Sequence, residues 1–154
     1  MMNFKKANIN QKSSTYPTVD FKNNQLLENK INTTIERTAK SMIPGPEYKD
    51  RNIISAASKY DIAVNKNEIF SIRLENYFFP EKAANGVTKV KGITINIING
   101  KIYRLKDLFI ENSNYKSLLD TIIKMEIKKN EIPLLEEFPG IKGNEEFYLT
   151  DNEL

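Results

Sequence analysis

The sequence predicts an α+β fold in which an antiparallel sheet of hairpins carries two main helices. Short segments with alternating apolar residues follow one another with turn signals between them, and two longer segments have helical spacing. Strands joined by short turns favour an antiparallel sheet over a parallel βαβ arrangement. The 154 residues, of which 40% are hydrophobic, suit one domain. We therefore expect a loose segment at residues 1–14 and a single α+β domain over residues 15–154.

The first strand and the first helix are predicted from proline and asparagine positions. A strand should contain Tyr16-Pro17, because the residue before proline avoids helical backbone angles. Asn23-Asn24 can cap a helix, and the prolines at 44 and 46 end it. One stripe of that helix is apolar: Leu27, Ile31, Ile35, Ala39 and Met42.

A hairpin should follow a surface loop at residues 41–52. Alternation places Tyr60, Ile62 and Val64 on one strand and Phe70, Ile72 and Leu74 on the next. Residues 65–67 supply the turn, and the second strand continues to Pro80.

The stretch ITINIINGKIYRLKDLF, residues 93–109, predicts a further hairpin whose register depends on its loop. A two-residue turn at Asn99-Gly100 would set Ile95 opposite Arg104, which puts a charge into an apolar stripe. A three-residue loop with Gly100 in the left-handed region instead sets Ile95 opposite Tyr103 and Ile93 opposite Leu105. The second register keeps every apolar residue on one face, so it is the one we predict.

A second main helix and a late strand complete the predicted order β-α-β-β-β-β-α-β. Asn112 or Ser113 can cap the helix, which should end near Asn130. A short helical turn is expected at residues 134–138, and residues 145–150 (EEFYLT) form the late strand. The helix has one apolar face: Tyr115, Leu118, Leu119, Ile122 and Ile123.

Composition excludes several classes of chemistry. The chain has neither histidine nor cysteine, which removes thiolate nucleophiles, serine-histidine pairs and the usual zinc ligands. The acidic pairs Glu136-Glu137 and Glu145-Glu146 are interpreted as solvated, because adjacent side chains diverge. No phosphate-binding, dinucleotide-binding or EF-hand pattern occurs. The sequence therefore predicts a protein that is not an enzyme and has no cofactor and no metal site.

Charge and hydropathy also narrow the choice of partners. The net charge is +3, with 23 basic residues interspersed among 20 acidic ones, so no nucleic-acid surface is expected. The N-terminal residues include lysines at 5 and 6 but no apolar stretch after them. A signal peptide or membrane span is therefore not predicted from this sequence.

The aromatic run YFFPEKAANGVTK is the candidate binding surface. Alternation aims neighbouring aromatics to opposite faces, so part of the run is expected to be exposed beside a polar loop. Exposed aromatics of this kind anchor protein partners or sugar rings. The alternative is that a helix covers them. The candidate binding residues are Tyr77, Phe79, Lys82, Asn85 and Lys89.

Longer segments carry a family resemblance that covers nearly the whole chain after residue 14. YPTV, NNQLLENKINTTI, AANGVTKVKGITINIINGKIYRLKDLF, NYKSLLDTIIKMEIKK and FPGIKGNEEFYLTDNEL resemble paired domains of unknown function. These domains occur in the extracytoplasmic part of RsiV-type anti-sigma factors and at the front of PdaC-type peptidoglycan deacetylases. The likeness is strongest at residues 99–109, where the family pattern T-G-K followed by D-L-F is met by N-G-K and D-L-F.

The sequence departs from that family at two places. The family has Gly-Ala-His-Gly after the aromatic strand, whereas residues 83–86 are Ala-Ala-Asn-Gly, so a role tied to that histidine does not carry over. The family also continues past F-Y-L-T into further strands, so the chain resembles a truncated member. We expect the late strand to leave an open edge through which a homo-oligomer could form.

The resemblance implies extracytoplasmic recognition in Gram-positive bacteria. In the anti-sigma factors the domain senses lysozyme by binding it, and in the deacetylases it accompanies a catalytic domain acting on the cell wall. The leading expectation is therefore a non-catalytic binding or sensing module for a lysozyme-like protein. The alternative is an accessory domain that binds peptidoglycan glycan.

Overall fold

A computed structural model describes residues 3–9 and 14–151 of the chain. The internal contacts of the chain divide it into two compact units. The expectation from chain length was a single domain. Unit 1 comprises Met1–Ile102 and Phe147–Leu154, and unit 2 is Tyr103–Glu146.

Two helices and a three-stranded antiparallel sheet give the chain an α+β fold, as predicted. The strands are β1 (Asn3–Ile9), β2 (Ser14–Asp20), β3 (Ile53–Lys66), β4 (Ile69–Pro80) and β5 (Val87–Asn96). The helices are α1 (Gln25–Ser41) and α2 (Tyr115–Lys129), with short 3-10 turns at Pro46–Tyr48 and Leu105–Leu108. No helix in the described residues has the length and apolarity needed to cross a membrane.

The sheet of unit 1 runs β3-β4-β5, and β1 pairs separately with β2. We call the face of the sheet that joins the hydrophobic core its inner face and the opposite one its outer face. Helix α1 contributes to this core. The core is formed by Tyr16, Val19, Ile31, Ile35, Met42, Phe70, Ile72, Leu74, Ile93 and Ile95.

Helix α1 forms where it was predicted, and a side chain caps its N-terminal end. The Oδ1 atom of Asn24 accepts a hydrogen bond from the backbone N–H of Leu27 at 3.0 Å, which satisfies one of the free donors of the first turn. Asn32, half-way along the helix, reaches strand β2. Its Oδ1 accepts from the N–H of Val19 at 2.8 Å, and its Nδ2 donates to the Val19 carbonyl at 2.9 Å. The helix is thereby joined to β2 by polar as well as apolar contacts.

The N-terminal region differs from its interpretation as loose. Asn3–Ile9 forms β1, which pairs along its whole length with β2. The hydrogen bonds between paired strands join backbone groups and do not require apolar side chains. The mostly polar sequence of this stretch therefore did not predict a strand. The rest of the segment, residues 1–2 and 10–13, lies outside the described residues.

The turn between β3 and β4 is shorter than predicted. Lys66 pairs with Ile69, so Asn67 and Glu68 make the turn in place of residues 65–67. Both have positive φ, at 51° and 64°, as expected for a two-residue hairpin turn whose twist matches that of the strands.

The predicted pairing after β5 is wrong, although Gly100 has the predicted positive φ of 67°. Ile95 bridges to Ile102 in place of Tyr103, and no further strand follows up to residue 151, where the described part of the chain ends. The loop is set by Asn96, whose Oδ1 accepts from the N–H groups of residues 98 and 99 and whose carbonyl accepts from Gly100. These bonds favour a four-residue loop over the one that matched apolar faces.

In unit 2, α2 begins at Tyr115 with Asn114 as its cap residue and without a side-chain capping bond, whereas residues 112 or 113 were predicted to cap it. It ends at Lys129 with Asn130 as its C-terminal cap residue, which agrees with the predicted end near Asn130. The short helical turn expected at residues 134–138 does not form.

The late strand predicted at residues 145–150 does not form either. Within unit 1, residues 147–151 are fixed by individual contacts, among them a hydrogen bond from the N–H of Leu149 to Ser71 Oγ. The open-edge argument for a homo-oligomer therefore loses the strand on which it depended.

Candidate binding surface

The end of β4 separates its aromatic residues as alternation predicts. Phe78 is fully buried on the inner face, where the ring of Tyr48 meets it edge-on at a centroid distance of 5.0 Å. Tyr77 and Phe79 point to the outer face, where Tyr77 is 36% exposed and Phe79 is half-buried. Phe78 is therefore a core residue, and the other two border the outer surface.

Tyr77 is held by the glycine of the following loop. A Cβ atom placed on Gly86 would lie 2.3 Å from the Tyr77 ring and hydroxyl, so the ring rests directly on the glycine backbone. Its neighbours across the strands are Ala57 and Thr88, which are small and exposed. The ring thus lies on a fixed support with little around it to cover it.

The loop between β4 and β5 is hydrogen-bonded at its base, and residues at its tip are exposed. The N–H of Glu81 donates to the Asn52 carbonyl at 2.7 Å, and Asn52 Nδ2 donates to the Glu81 carboxylate at 2.9 Å. Lys82 is exposed and has a positive φ of 61°, a conformation that costs free energy for a residue other than glycine. Asn85 is also exposed. We call Tyr77, Phe79 and residues 81–86 the aromatic-loop surface.

Lys89 does not share a face with this surface, although the sequence grouped it there. Its partner in the sheet is Asn76, an inner-face residue. Its Nζ lies 5.5 Å from the centre of the Phe78 ring, 3.9 Å from Glu47 and 3.5 Å from the Ile43 carbonyl. The structure therefore brings Tyr77, Phe79, Lys82 and Asn85 to one region and directs Lys89 to the other side.

A row of charges adjoins Tyr77 on the outer face and was missed by the sequence analysis. Glu75 accepts hydrogen bonds from Lys59 at 3.0 Å and Arg73 at 2.6 Å. These bonds hold the pKa of Glu75 below its ordinary value. Alternation of charges at 73 and 75 with apolar residues was visible in the sequence, but the contribution of Lys59 depends on strand register.

Two carboxylates of unit 2, those of Asp120 and Glu145, accept hydrogen bonds from backbone N–H groups. Burial raises the pKa of Glu145, but bonds from the N–H groups of Lys142 and Gly143 outweigh this and leave that pKa below its ordinary value. Asp120 accepts from the N–H of Ile141 at 2.7 Å. Among the described residues, acidic side chains form no group of three that could hold a metal ion.

A small cavity in unit 1 lies beside Asn76, whose Oδ1 atom is buried and has no hydrogen-bond partner among the residues that the structure describes. Its volume is about 10 Å³, with Met42 and Ser58 also in its wall. This is room for about one water molecule, so the cavity is not a ligand pocket.

Comparison with known proteins identifies similarity at the level of fold. No protein-family model and no curated protein sequence matches the chain. Several solved structures do, including two of the DUF3298 family. One is a DUF3298 family protein from Pseudomonas aeruginosa PAO1, with 14% identity and a TM-score of 0.53 over 86% of this chain. The other is a DUF3298 family member from Bacteroides fragilis NCTC 9343, with 11% identity and a TM-score of 0.59 over 87% of this chain.

This chain shares the fold of the DUF3298 proteins. It spans 66% of the Pseudomonas chain, just under two thirds, and 71% of the Bacteroides chain. At these identities the likeness concerns the fold, and the DUF3298 name denotes a domain of unknown function. The shared fold agrees with the expectation of a domain of unknown function. It does not identify a ligand.

Proposed function

We propose that this chain is a non-catalytic binding or sensing module that engages its ligand through the aromatic-loop surface. The observation that carries the proposal is the exposed Tyr77 ring resting on Gly86. A rigid aromatic ring loses little conformational entropy on binding and offers both an apolar body and a hydroxyl group. The strained backbone of Lys82 beside it is a further feature of functional loops.

The proposed ligand is a lysozyme-like protein met outside the cytoplasm, as the resemblance to RsiV-type anti-sigma factors implies. Protein interfaces are centred on aromatic anchors and have polar rims. Tyr77 fits the first role, and the exposed Lys82 and Asn85 fit the second. The shared DUF3298 fold supports only the coarser statement that this is a domain of that kind.

Peptidoglycan glycan is the second candidate, and the neighbours of Tyr77 favour it. Ala57 and Thr88 are small, so a sugar ring could lie flat on the tyrosine without meeting a larger side chain. In this case the chain is an accessory cell-wall-binding domain of the kind found in PdaC-type deacetylases.

Titration calorimetry with purified lysozyme and with soluble peptidoglycan fragments tests both candidates. Tyr77→Ala and Lys82→Glu should each weaken binding of the true ligand by about tenfold or more, as for anchor residues. Lys30→Glu is the matched charge control, because Lys30 is exposed and contacts the Asn99 loop at the other end of β5.

Binding of lysozyme supports the first candidate, and binding of peptidoglycan fragments supports the second. An unchanged circular dichroism spectrum shows that each variant is folded. If Tyr77→Ala and Lys82→Glu bind as tightly as the natural chain, the aromatic-loop surface is not the site. If the natural chain binds neither lysozyme nor glycan at roughly millimolar concentration, well beyond typical specific affinities, both proposed ligands are wrong.

A further inference from the structure

The sequence contains two Asn-Gly pairs, and both lie in loops of unit 1. Asn85-Gly86 precedes β5, and Asn99-Gly100 follows it. In such a pair the backbone nitrogen of the glycine can attack the side-chain carbonyl carbon of the asparagine, because glycine has no Cβ atom to obstruct the approach. Asparagine is a thermolabile residue. Since the two pairs have the same local chemistry, the structure around each pair decides how fast it reacts.

The pair Asn99-Gly100 is restrained by hydrogen bonds. Gly100 is buried, and its N–H donates to the Asn96 carbonyl at 2.8 Å. The Oδ1 atom of Asn99 accepts from the N–H of Lys101 at 2.8 Å, and the N–H of Asn99 donates to Asn96 Oδ1 at 3.1 Å. The attacking nitrogen must first lose its proton to solvent, and a buried, hydrogen-bonded N–H reaches solvent only when the loop opens locally. This pair is therefore protected.

The pair Asn85-Gly86 lacks these restraints. Pairing of β4 with β5 ends at Phe78 and Val87, so Gly86 lies just outside the paired strands. Asn85 is exposed and Gly86 is only half-buried. Within the described part of the chain, neither the Asn85 carboxamide nor the Gly86 N–H has a hydrogen-bond partner. The reacting groups of this pair are thus available without any local opening.

We propose that Asn85 is a site of spontaneous deamidation in the folded chain, with the Gly86 nitrogen as the nucleophile. A bond forms between that nitrogen and the Asn85 side-chain carbonyl carbon, which closes a succinimide ring. The bond from this carbon to the side-chain nitrogen breaks, and that nitrogen takes up a proton from solvent and leaves as ammonia. Water then opens the ring at either carbonyl and gives aspartate or isoaspartate at position 85.

The reaction changes the aromatic-loop surface. Either product adds a negative charge to a loop whose charged side chains are Glu81 and Lys82. Isoaspartate also adds a methylene carbon to the backbone path, next to the glycine on which the Tyr77 ring rests. The charge and the geometry of this surface therefore change with the age of the protein. The chemistry does not depend on which ligand the surface binds.

Incubation of the folded natural chain in mildly alkaline buffer, followed by digestion and mass spectrometry, tests the proposal. The peptide that contains Asn85 should exchange ammonia for water and give aspartate and isoaspartate, which electron-transfer fragmentation distinguishes. Asn99 should convert at least about tenfold more slowly, because its loop must first open. In concentrated urea, where the hydrogen bonds around Asn99 are lost, the two asparagines should convert at similar rates.

Hydrogen exchange and one variant separate protection by structure from other causes. The N–H of Gly86 should exchange at least about tenfold faster than that of Gly100. Asn96→Ala removes the Oδ1 acceptor of the N–H groups at residues 98 and 99. It should speed the conversion of Asn99 and leave that of Asn85 unchanged, with circular dichroism as the check on folding.

Two outcomes overturn the proposal. The first is that Asn85 remains asparagine in the folded chain while the urea-unfolded chain converts. The second is that Asn99 converts as fast as Asn85 in the folded chain, which would mean that the hydrogen bonds to Asn96 give no protection.

Discussion

Helices α1 and α2 come from similar sequence patterns but differ in how deeply their apolar stripes are buried. In α1, Ile31 and Ile35 are at most 1% exposed. In α2 no residue is buried, and Leu118, Ile122 and Met125 are about half exposed or more. Helical spacing of apolar residues thus predicts a helix correctly in both places. It does not predict the depth of burial, which depends on the elements that surround the stripe.

The two helices are also anchored by different kinds of contact. The stripe of α1 joins the core of unit 1. Helix α2 is tied within unit 2 by polar groups: Asp120 accepts from the N–H of Ile141, and Lys116 donates to the Lys142 carbonyl at 2.6 Å. Mutations in the two helices should therefore have different effects.

The largest difference should come from truncating one isoleucine in each helix. Ile35→Ala removes a fully buried side chain and should lower the free energy of unfolding by about 2–5 kcal/mol. Ile123→Ala removes a half-buried one and should cost less than about 1.5 kcal/mol. Urea denaturation measures both. Equal losses would show that the two helices are buried alike.

A smaller effect is expected at Gly100, next to the first turns of α1. Valine there must adopt a positive φ, and its Cβ would lie 2.9 Å from Leu27 Cδ1, so Gly100→Val should cost about 1–3 kcal/mol. Gly100→Asn is the control, since asparagine tolerates this backbone conformation better. If valine and asparagine cost the same, the left-handed conformation is not the reason for the glycine.

The helix caps should differ by about 1 kcal/mol. Asn24→Ala removes the hydrogen bond to the N–H of Leu27 and should cost about that amount. Asn114→Ala should be nearly neutral, because the Asn114 side chain makes no capping bond. Thermal unfolding of the two variants makes the comparison, and a loss at Asn114 as large as at Asn24 contradicts it.

The smallest effect concerns pH and Glu75 in the sheet of unit 1. Bonds from Lys59 and Arg73 lower the pKa of Glu75 in the folded chain, so the unfolded chain takes up its proton first as the pH falls. The stabilisation is present above the ordinary carboxyl pKa, about 4.3, and is lost as the pH falls through the lower folded value.

Glu75→Gln should therefore flatten the decline of stability with acid, measured as the urea midpoint against pH. The change should be modest, because the Lys59 side chain is 70% exposed. If the decline keeps the same slope in Glu75→Gln, the Glu75 carboxylate does not contribute to acid sensitivity.

Much of unit 1 could be predicted from the sequence because its signals are local. The cap at Asn24, the stripe through Ile31 and Ile35 and the alternation along β4 each depend on neighbouring residues. The exposed position of Tyr77 followed from that alternation. Local propensity and packing agree at these positions.

Other features depend on polar side chains, backbone pairing and strand register. None of these contributes to a pattern of apolar residues. The loop after β5 is set by the Asn96 side chain, and β1, whose sequence is mostly polar, pairs with β2 through its backbone. Lys89 was grouped with Tyr77 and Phe79 because the register of β5 against β4, which places it on the inner face, is not visible in the sequence. Residues 145–150 were predicted as a strand from their own sequence, although the position of this part of the chain depends on Ser71 and Gly92, far away in sequence.

The carboxamide of Asn32 has a consequence for how the protein can be produced. Asn32-Thr33-Thr34 matches the acceptor sequence for N-linked glycosylation, and its Nδ2 atom is the one to which the sugar would be joined. In the folded chain that atom donates to the Val19 carbonyl. It is therefore not accessible to the enzyme that attaches the sugar once the chain has folded. A chain glycosylated before it folds would lose this hydrogen bond and carry a bulky group where α1 meets β2. Expression in a glycosylating secretory host should therefore lower the yield of folded protein, and Thr34→Ala, which removes the acceptor sequence, would restore it only as far as the loss of the Thr34 bond to the Lys30 carbonyl allows.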